Sequence, residues 1–284
     1  MKILKEKRCI IGEGPIYNDV DKKLYFTNGF ENEICIYDFK TDSISVKKLS
    51  FGVSAMAFDR QNNLIVAHKN GVHILNDDGT LTPIYNEEKY KIKNCNDIKV
   101  SPTGDLFVGT ISSKRKTQNE SELDGKLYKI SIDGTVTLLL DNLSCSNGLD
   151  WSIDETKFYH TDSDTSQIKE YNYIKETGEI LFTGRSVYIN GVDGFTISNN
   201  GNIYAGCWAR GFVAVIDTKK MEVVSTIEAP CNIPTSCAFC GDELDVLAVT
   251  TASYNEDILK EKNAGFTYLI KVNERGRKAY RFGN

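Results

Sequence analysis

The sequence predicts an all-β protein, a six-bladed β-propeller in which residues 1–284 form a single domain. Two observations predict this fold. A unit of short apolar strands separated by Gly or polar residues recurs six times, and turn sequences such as DDG, IDG, ETG and NNG separate the outer strands. No segment carries a helical period of apolar residues over three turns, which argues against helix-bundle and α/β folds.

The spacing of the repeated unit predicts the number of blades. Its strands begin at residues 24, 64, 106, 158, 203 and 247, so the steps are 40, 42, 52, 45 and 44 residues. This spacing is typical of propeller blades, each a four-stranded antiparallel sheet. Because an open ring would leave unpaired strand edges, the N-terminal ILKEKRCI is expected to pair with the C-terminal strands. A linear array or two domains is the alternative, and no Pro/Gly/Ser-rich linker supports it.

Composition excludes several classes of partner. The net charge is −5 without a long block of like charge, so no nucleic-acid partner is expected. No apolar stretch reaches the length of a membrane span. The start of the chain lacks a signal-peptide pattern, and eight scattered cysteines are typical of reduced thiols. We therefore expect a cytoplasmic protein with no membrane partner, and the sequence leaves its oligomeric state open.

A polar residue stands 10 or 11 residues before each of the six strand starts. In chain order these residues are Glu13, Ser54, Asn96, Asn147, Asp193 and Ser236. Because the innermost strand of each blade lines the central channel, we expect the six side chains to form a ring at one end of it. The alternative is that each side chain only satisfies backbone groups at a turn, which is a common use of Asn, Asp and Ser.

The residue types of this ring favour a bound cation. Two carboxylates in a narrow site repel each other unless a cation or a proton lies between them. Carboxylates together with neutral oxygen donors suit a hard divalent ion. Ca²⁺ is therefore the first expectation, with Mg²⁺ and Mn²⁺ as alternatives, and Zn²⁺ is less favoured because it prefers His or Cys.

Several longer motifs resemble a known family. They are GEGP at 12–15, NDIKVSPTGDLFVGT at 96–110, SNGLDWSIDETKFYHTDS at 146–163, DGFTI from 193 and PTSCAF at 234–239. Together they resemble the gluconolactonase, regucalcin (senescence marker protein) and luciferin-regenerating-enzyme family, from residue 12 to about residue 272. The resemblance implies a six-bladed propeller with a catalytic divalent metal in its channel, and a hydrolase that opens a sugar-type lactone to its hydroxy acid.

The resemblance also implies roles for individual residues. Glu13, Asn147 and Asp193 match the family's metal ligands, and Asn96 matches an Asn that contacts the substrate or a metal-bound water. Asp193 is the candidate general base. Asp150, in the same motif as Asn147, is expected to support local structure.

Two substrate-contact positions depart from the animal regucalcin pattern. Asn94 stands where that pattern has an Arg, and Lys114 stands where it has a Glu on a lid loop. Both changes affect polar contacts to the substrate, so the identity of the lactone stays open. The polar segment 111–124 is expected to cover the channel mouth and to select substrate through Lys114 or Arg115; a solvated surface loop is the alternative.

Two other functions remain open from the sequence. One is a calcium-dependent phosphotriester or aryl-ester hydrolase, and the other is a non-enzymatic calcium-binding propeller. The CxxC spacing of Cys237 and Cys240 has no second pair, so buried free thiols are expected. Of the histidines, His160 is expected in the core, and His68 is a marginal candidate for the channel. Trp208, after Cys207, is expected to pack in the core.

Overall fold

The computed structural model describes residues 1–115 and 122–283 and places their strands in six four-stranded antiparallel sheets. The six-bladed propeller predicted from the repeat is confirmed. Strands are numbered in chain order from β1, Lys2–Leu4, which belongs to the last blade.

Each blade takes four strands in order from the channel outward. Blade I is β2 Gly12–Asn18, β3 Lys23–Asn28, β4 Glu33–Asp38 and β5 Ser43–Lys48; blade II is β6 Val53–Phe58, β7 Leu64–His68, β8 Gly71–Leu75 and β9 Leu81–Pro83. Blade III is β10 Cys95–Val100, β11 Leu106–Thr110, β12 Gly125–Ile130 and β13 Val136–Leu143; blade IV is β14 Ser146–Trp151, β15 Lys157–Asp162, β16 Gln167–Ile174 and β17 Glu179–Tyr188. Blade V is β18 Val192–Ile197, β19 Asn202–Cys207, β20 Phe212–Asp217 and β21 Glu222–Glu228; blade VI is β22 Pro234–Cys240, β23 Val246–Thr251, β24 Thr267–Lys271 and β1. Short 3-10 turns lie at Gly29–Glu31 and Ser163–Thr165.

The ring closes through the N-terminal strand, as predicted. β1 pairs antiparallel with β24, with Ile3 opposite Tyr268, and so becomes the outer strand of blade VI. This arrangement joins the two ends of the chain in one sheet and pairs an edge of β24 that would otherwise be open.

Apolar side chains fill the spaces between neighbouring blades. Between blades III and IV, for example, the ring of Trp151 packs edge-on against Phe107, with centroids 4.9 Å apart, and both side chains are fully buried. Such pairs form because successive side chains of a strand point to opposite faces, so each blade buries both. All eight cysteines are free and buried, which agrees with the expectation for Cys237 and Cys240.

The inner strands contact one another in sequence around the channel, from β2 through β6, β10, β14, β18 and β22 back to β2. Every one of them shifts register near its N-terminal end. Such β-bulges leave one or two residues outside the regular ladder and re-aim their side chains. Five of the six residues of the polar ring predicted from sequence lie at these bulges.

The C-terminal segment 275–283 crosses the opposite end of the channel. The backbone N–H of Gly276 donates to the carbonyl oxygen of Leu244 in blade VI, and that of Gly283 donates to Gly104 in blade III. Between these points Arg277 forms an ion pair with Asp150 of blade IV. The segment therefore covers this end of the channel, while the end that carries the polar ring opens into a cavity.

Candidate active site

A cavity of about 750 Å³ lies at the accessible end of the channel. Five of the six inner strands supply polar side chains to its wall: Glu13, Ser54, Asn96, Asp97, Asn147 and Asp193. The three residues predicted as metal ligands, Glu13, Asn147 and Asp193, therefore line one cavity together with Asn96.

Ser236, the sixth residue predicted for the polar ring, is wrong by one position. In the strand pairing Thr235, not Ser236, lies in the bulge that corresponds to Ser54 in blade II. Thr235 donates its hydroxyl to the carbonyl oxygen of Gly12 at 2.6 Å, while Ser236 lies against Gly194 deeper in the channel. Ser54 also donates to a backbone carbonyl, that of Cys95, at 2.9 Å. At these two blades the hydroxyl satisfies the backbone, as the alternative interpretation expected.

Asp193 and Asn147 are buried side chains that contact each other in the cavity wall. Asp193 is 6% exposed and Asn147 is 8% exposed, and the amide of Asn147 donates to Asp193 Oδ1. Burial and, second, the Asp97 carboxylate raise the pKa of Asp193 to about 8, against the opposing effects of Arg115 and Asn147. In the same bulged backbone Gly148 and Gly194 directly follow these two residues. A Cβ at Gly194 would overlap the Ser236 side chain, so close packing of neighbouring inner strands requires glycine there.

The carboxylates facing the cavity repel one another. Burial raises the pKa of Glu13 well above its usual value, and Asp193 and Asp97 add to the effect. Burial also raises the pKa of Asp97 to about 6, although Lys99 opposes the shift. A divalent cation would remove this repulsion, and the donor set, carboxylates with the amide oxygen of Asn147, consists of the oxygens that hard cations prefer. Within residues 1–115 and 122–283 no group of three His, Cys, Asp or Glu side chains is placed to hold a metal ion, and the predicted ligand set of Glu13, Asn147 and Asp193 includes an amide.

Asn96 lies beside this acidic group. Its amide nitrogen donates to the carbonyl oxygen of Ser146 at 3.0 Å, which leaves Oδ1 as the atom that can accept a hydrogen bond from a ligand. Asp97 follows it directly and was missed by the sequence reasoning, because regular alternation would turn it away from the cavity. The bulge between Cys95 and Ile98 brings both residues to the cavity wall.

Asn94 and Lys114 lie outside the cavity lining. Asn94 is half-buried with φ 54°, and its backbone bonds to Lys69 and Ile111 hold the neighbouring loops together. Lys114 is exposed, whereas its neighbour Arg115 lines the cavity. Of the proposed lid 111–124, residues 116–121 lie outside the described part of the chain.

Arg115 forms a bidentate ion pair between neighbouring blades III and IV at the mouth. Its Nε and one terminal nitrogen donate to Asp164 at 2.8 and 2.7 Å, which joins the β11–β12 connection to the turn after β15. Asp164 also accepts a hydrogen bond from the Ser144 hydroxyl. A sequence signal for this pair is absent because its members are 49 residues apart and in different blades.

His68 does reach the cavity. Its Nε2 lies 2.9 Å from Nδ1 of His73, and His73 Nε2 lies 2.9 Å from the Glu87 carboxylate. Burial, followed by the neighbouring His73, lowers the pKa of His68, which favours the neutral ring. The Glu87–His73–His68 chain thus fixes the orientation of one polar ring on the cavity wall.

His160 lies in the core, as expected, and carries a pH-dependence prediction. It is 2% exposed, its Nε2 lies 2.8 Å from the Ser146 hydroxyl, and burial, with Lys169 adding to it, lowers its pKa to about 3. The unfolded chain binds a proton at this histidine near pH 6.5, while the folded chain does not. The contribution of neutral His160 to the free energy of unfolding is therefore complete above pH 6.5. As the pH falls toward 3, this free energy decreases by up to about 1.4 kcal/mol per pH unit.

We therefore expect His160→Gln to lose less unfolding free energy than the wild type between pH 6.5 and pH 4.5. Urea denaturation at several pH values in this interval measures it. Equal acid destabilisation of the two proteins would contradict the assignment.

A six-bladed propeller whose channel ends in a cavity lined by carboxylate and amide side chains defines the class of this protein. The chain belongs to the family described as SMP-30/Gluconolactonase/LRE-like region, whose model matches residues 11–253. The family predicted from the sequence motifs is confirmed.

Relatives and solved structures cover nearly the whole chain. A Bacillus subtilis (strain 168) protein, provisionally named sugar lactone lactonase YvrE, is 30% identical over 87% of this chain and 85% of its own. Regucalcin of Gallus gallus is 26% identical over 93% of this chain and 91% of its own. The structure of a calcium-binding regucalcin from Agrobacterium tumefaciens superposes with a TM-score of 0.87 at 25% identity, covering 99% of this chain and 97% of that one. A luciferin-regenerating enzyme gives 0.85 at 26% identity, covering 98% and 96%.

Trp208 differs from its expected position in the core. It is half-buried and lines the cavity, while Cys207 before it is buried. The described residues include no helix long and apolar enough to cross a membrane.

Proposed function

We propose that this chain is a divalent-metal-dependent hydrolase that opens a sugar-type lactone to its hydroxy acid. The observation that carries the proposal is the convergence of Glu13, Asn147 and Asp193 on one cavity, in a family that includes gluconolactonases. The name of the YvrE relative supports the substrate class, and the calcium-binding regucalcin supports Ca²⁺ as the ion.

In the proposed reaction Glu13, Asn147 and Asp193 hold the ion, and Asn96 binds the substrate or the attacking water. When bound, the cation polarises the lactone carbonyl and lowers the pKa of nearby water. Asp193 accepts a proton from the water that attacks the carbonyl carbon. The ring C–O bond then breaks, and the proton passes to the departing alkoxide, so the product is the hydroxy acid.

The surroundings of the ring support this assignment of roles. The hydrogen bond from Asn147 fixes the Asp193 carboxylate, and the C-terminal segment, held by the Arg277–Asp150 ion pair, covers the lower end of the channel. We further propose that residues 1–284 act as one domain, and that they act in the cytoplasm, since all eight cysteines are free.

Metal removal and replacement tests the proposal. Protein stripped by a chelator and shown to be metal-free by elemental analysis is expected to lose lactonase activity at least about a hundredfold. Addition of Ca²⁺ is expected to restore it, and Mg²⁺, Mn²⁺ and Zn²⁺ are compared in the same assay. The substrates are a panel of aldonolactones, acidic lactones and one phosphotriester.

The possible results separate the proposed function from its alternatives. Turnover of the phosphotriester in preference to every lactone would favour the ester-hydrolase alternative. Tight Ca²⁺ binding without turnover of any substrate would favour a calcium-binding propeller. Full lactonase activity in verified metal-free protein would contradict the metal dependence.

A further inference from the structure

The rim of the cavity has two chemically different halves. It is built by the connections between the second and third strands of the blades. Of the residues that line the cavity, these connections supply Trp208 in blade V and Phe30 in blade I, and Tyr254 of blade VI packs against Phe30. The connections of blades II, III and IV supply Lys69, Arg115 and Asp164. One half of the mouth is therefore aromatic and the other half is charged.

The aromatic half includes two exposed rings, those of Phe30 and Tyr254. Phe30 lines the cavity while 64% of its surface is exposed, and its ring lies against Tyr254, with centroids 5.7 Å apart and planes inclined by 32°. Trp208 lines the same cavity from blade V. Apolar side chains exposed together beside a cavity are a feature of ligand-binding grooves.

The apolar character continues from the rim into the cavity. Ile11 and Val192 also line the cavity, and in the chain they lie close to Glu13 and Asp193 respectively. A ligand whose reacting carbonyl lies at those carboxylates can therefore keep an attached apolar group against this wall.

The cavity is also larger than a monosaccharide lactone requires. Its volume of about 750 Å³ lies within the range of sites that bury drug-sized ligands. A single sugar ring at the carboxylates would leave the aromatic half of the mouth empty, and exposed aromatic surface gains free energy when apolar area is buried on it.

On the basis of the proposed function, we infer that the preferred substrate is a lactone that carries an apolar substituent, alkyl or aryl. The lactone ring lies at Glu13 and Asp193, and the substituent lies against Phe30 and Trp208. Ring hydroxyls or a polar substituent face Lys69 and the Arg115–Asp164 pair. Phe30 is accordingly a specificity-determining residue.

The test compares two lactones with the same ring, δ-valerolactone and the same δ-lactone carrying a pentyl chain. The wild type is expected to favour the pentyl lactone in kcat/KM. In Phe30→Ala the ratio of the two kcat/KM values is expected to fall about tenfold, chiefly through KM, because the chain loses its apolar contact. Phe30→Leu is expected to restore most of the ratio.

Phe182→Ala is the matched control. Phe182 is also an exposed phenylalanine, at 54%, that lies against a tyrosine ring, Tyr171, but it belongs to the outer strand of blade IV. The ratio is expected to stay unchanged in this variant. Equal kcat/KM values for the two lactones in the wild type, or an unchanged ratio of these values in Phe30→Ala, would overturn the inference and leave the proposed function intact.

Binding of the ring-opened acids gives a readout that does not depend on turnover. The two tryptophans of the chain differ in exposure, since Trp151 is fully buried and Trp208 is half-buried at the cavity. The pentyl hydroxy acid is expected to change Trp208 fluorescence at lower concentration than the unsubstituted acid, and Phe30→Ala to remove the difference. Identical titrations would overturn the inference. Phe30-dependent dimers in sedimentation, without this binding difference, would assign the aromatic surface to self-association instead.

Absence of turnover for these two lactones and for every aldonolactone of the panel, with every metal, would count against the proposed function itself. The fluorescence titration then decides separately whether the aromatic half of the mouth binds apolar groups.

Discussion

Asp193→Asn is expected to lower kcat/KM for lactone hydrolysis by about 10³-fold, because the variant loses the proposed general base and one anionic metal ligand. Asparagine has nearly the shape of aspartate, and its Oδ1 can still accept the hydrogen bond that Asn147 donates to Asp193. The loss would therefore arise from the missing carboxylate and not from a rearranged channel. Steady-state kinetics at saturating metal measure it.

The stability of the metal-free variant separates this effect from misfolding. In the absence of a cation, burial and the neighbouring Asp97 carboxylate penalise the ionised form of Asp193 and raise its pKa, and a neutral amide at this position avoids that penalty. Metal-free Asp193→Asn is thus expected to unfold at the same denaturant concentration as the metal-free wild type or at a higher one. Asp242→Asn, which removes an exposed carboxylate, serves as the activity control. Near-normal turnover by Asp193→Asn would refute the role of Asp193.

The fold could be predicted because a propeller repeats its physical pattern. Each blade starts with a buried strand that follows a polar position, and a step of 40 to 52 residues separates the units. The ring closure by the N-terminal strand followed from the need to pair an open edge. What repetition could not supply is the exact register where a strand is irregular, which is why Ser236 was chosen in place of Thr235.

The candidate site was predictable only as far as strand alternation holds. Glu13, Asn147 and Asp193 were placed in one cavity by spacing and by the family motifs. Asp97 was not, because the bulge that turns it toward the cavity depends on the tertiary fit of β10 between its neighbours. The Arg115–Asp164 pair depends on two connections from different blades, whose approach no local pattern encodes.

A second large effect is expected below the cavity, where Asp150 is the common partner of two cations. Asp150 is 3% exposed; it forms ion pairs with Lys99, at 2.8 Å, and with Arg277 of the C-terminal segment. It also accepts the backbone N–H groups of Trp151 and Ile197 at 2.8 and 3.2 Å. Burial alone would raise the pKa of Asp150, but Lys99 and Arg277 outweigh it, and the pKa is lowered.

Asp150→Asn is expected to lower the unfolding free energy by about 3–5 kcal/mol, since it leaves two cations in the channel without their anion. Chemical denaturation measures the change, and Asp242→Asn, at an exposed ion pair with Lys22, is expected to change it by less than about 1 kcal/mol. The penalty belongs mainly to the uncompensated cations, so Asp150→Asn combined with Lys99→Met and Arg277→Met is expected to recover part of the loss. An Asp150→Asn protein as stable as the wild type would contradict this expectation. It would show that water and the carbonyl oxygens of Phe195 and Ser152 are enough to solvate Lys99 and Arg277. The C-terminal segment would then be held by its backbone contacts instead.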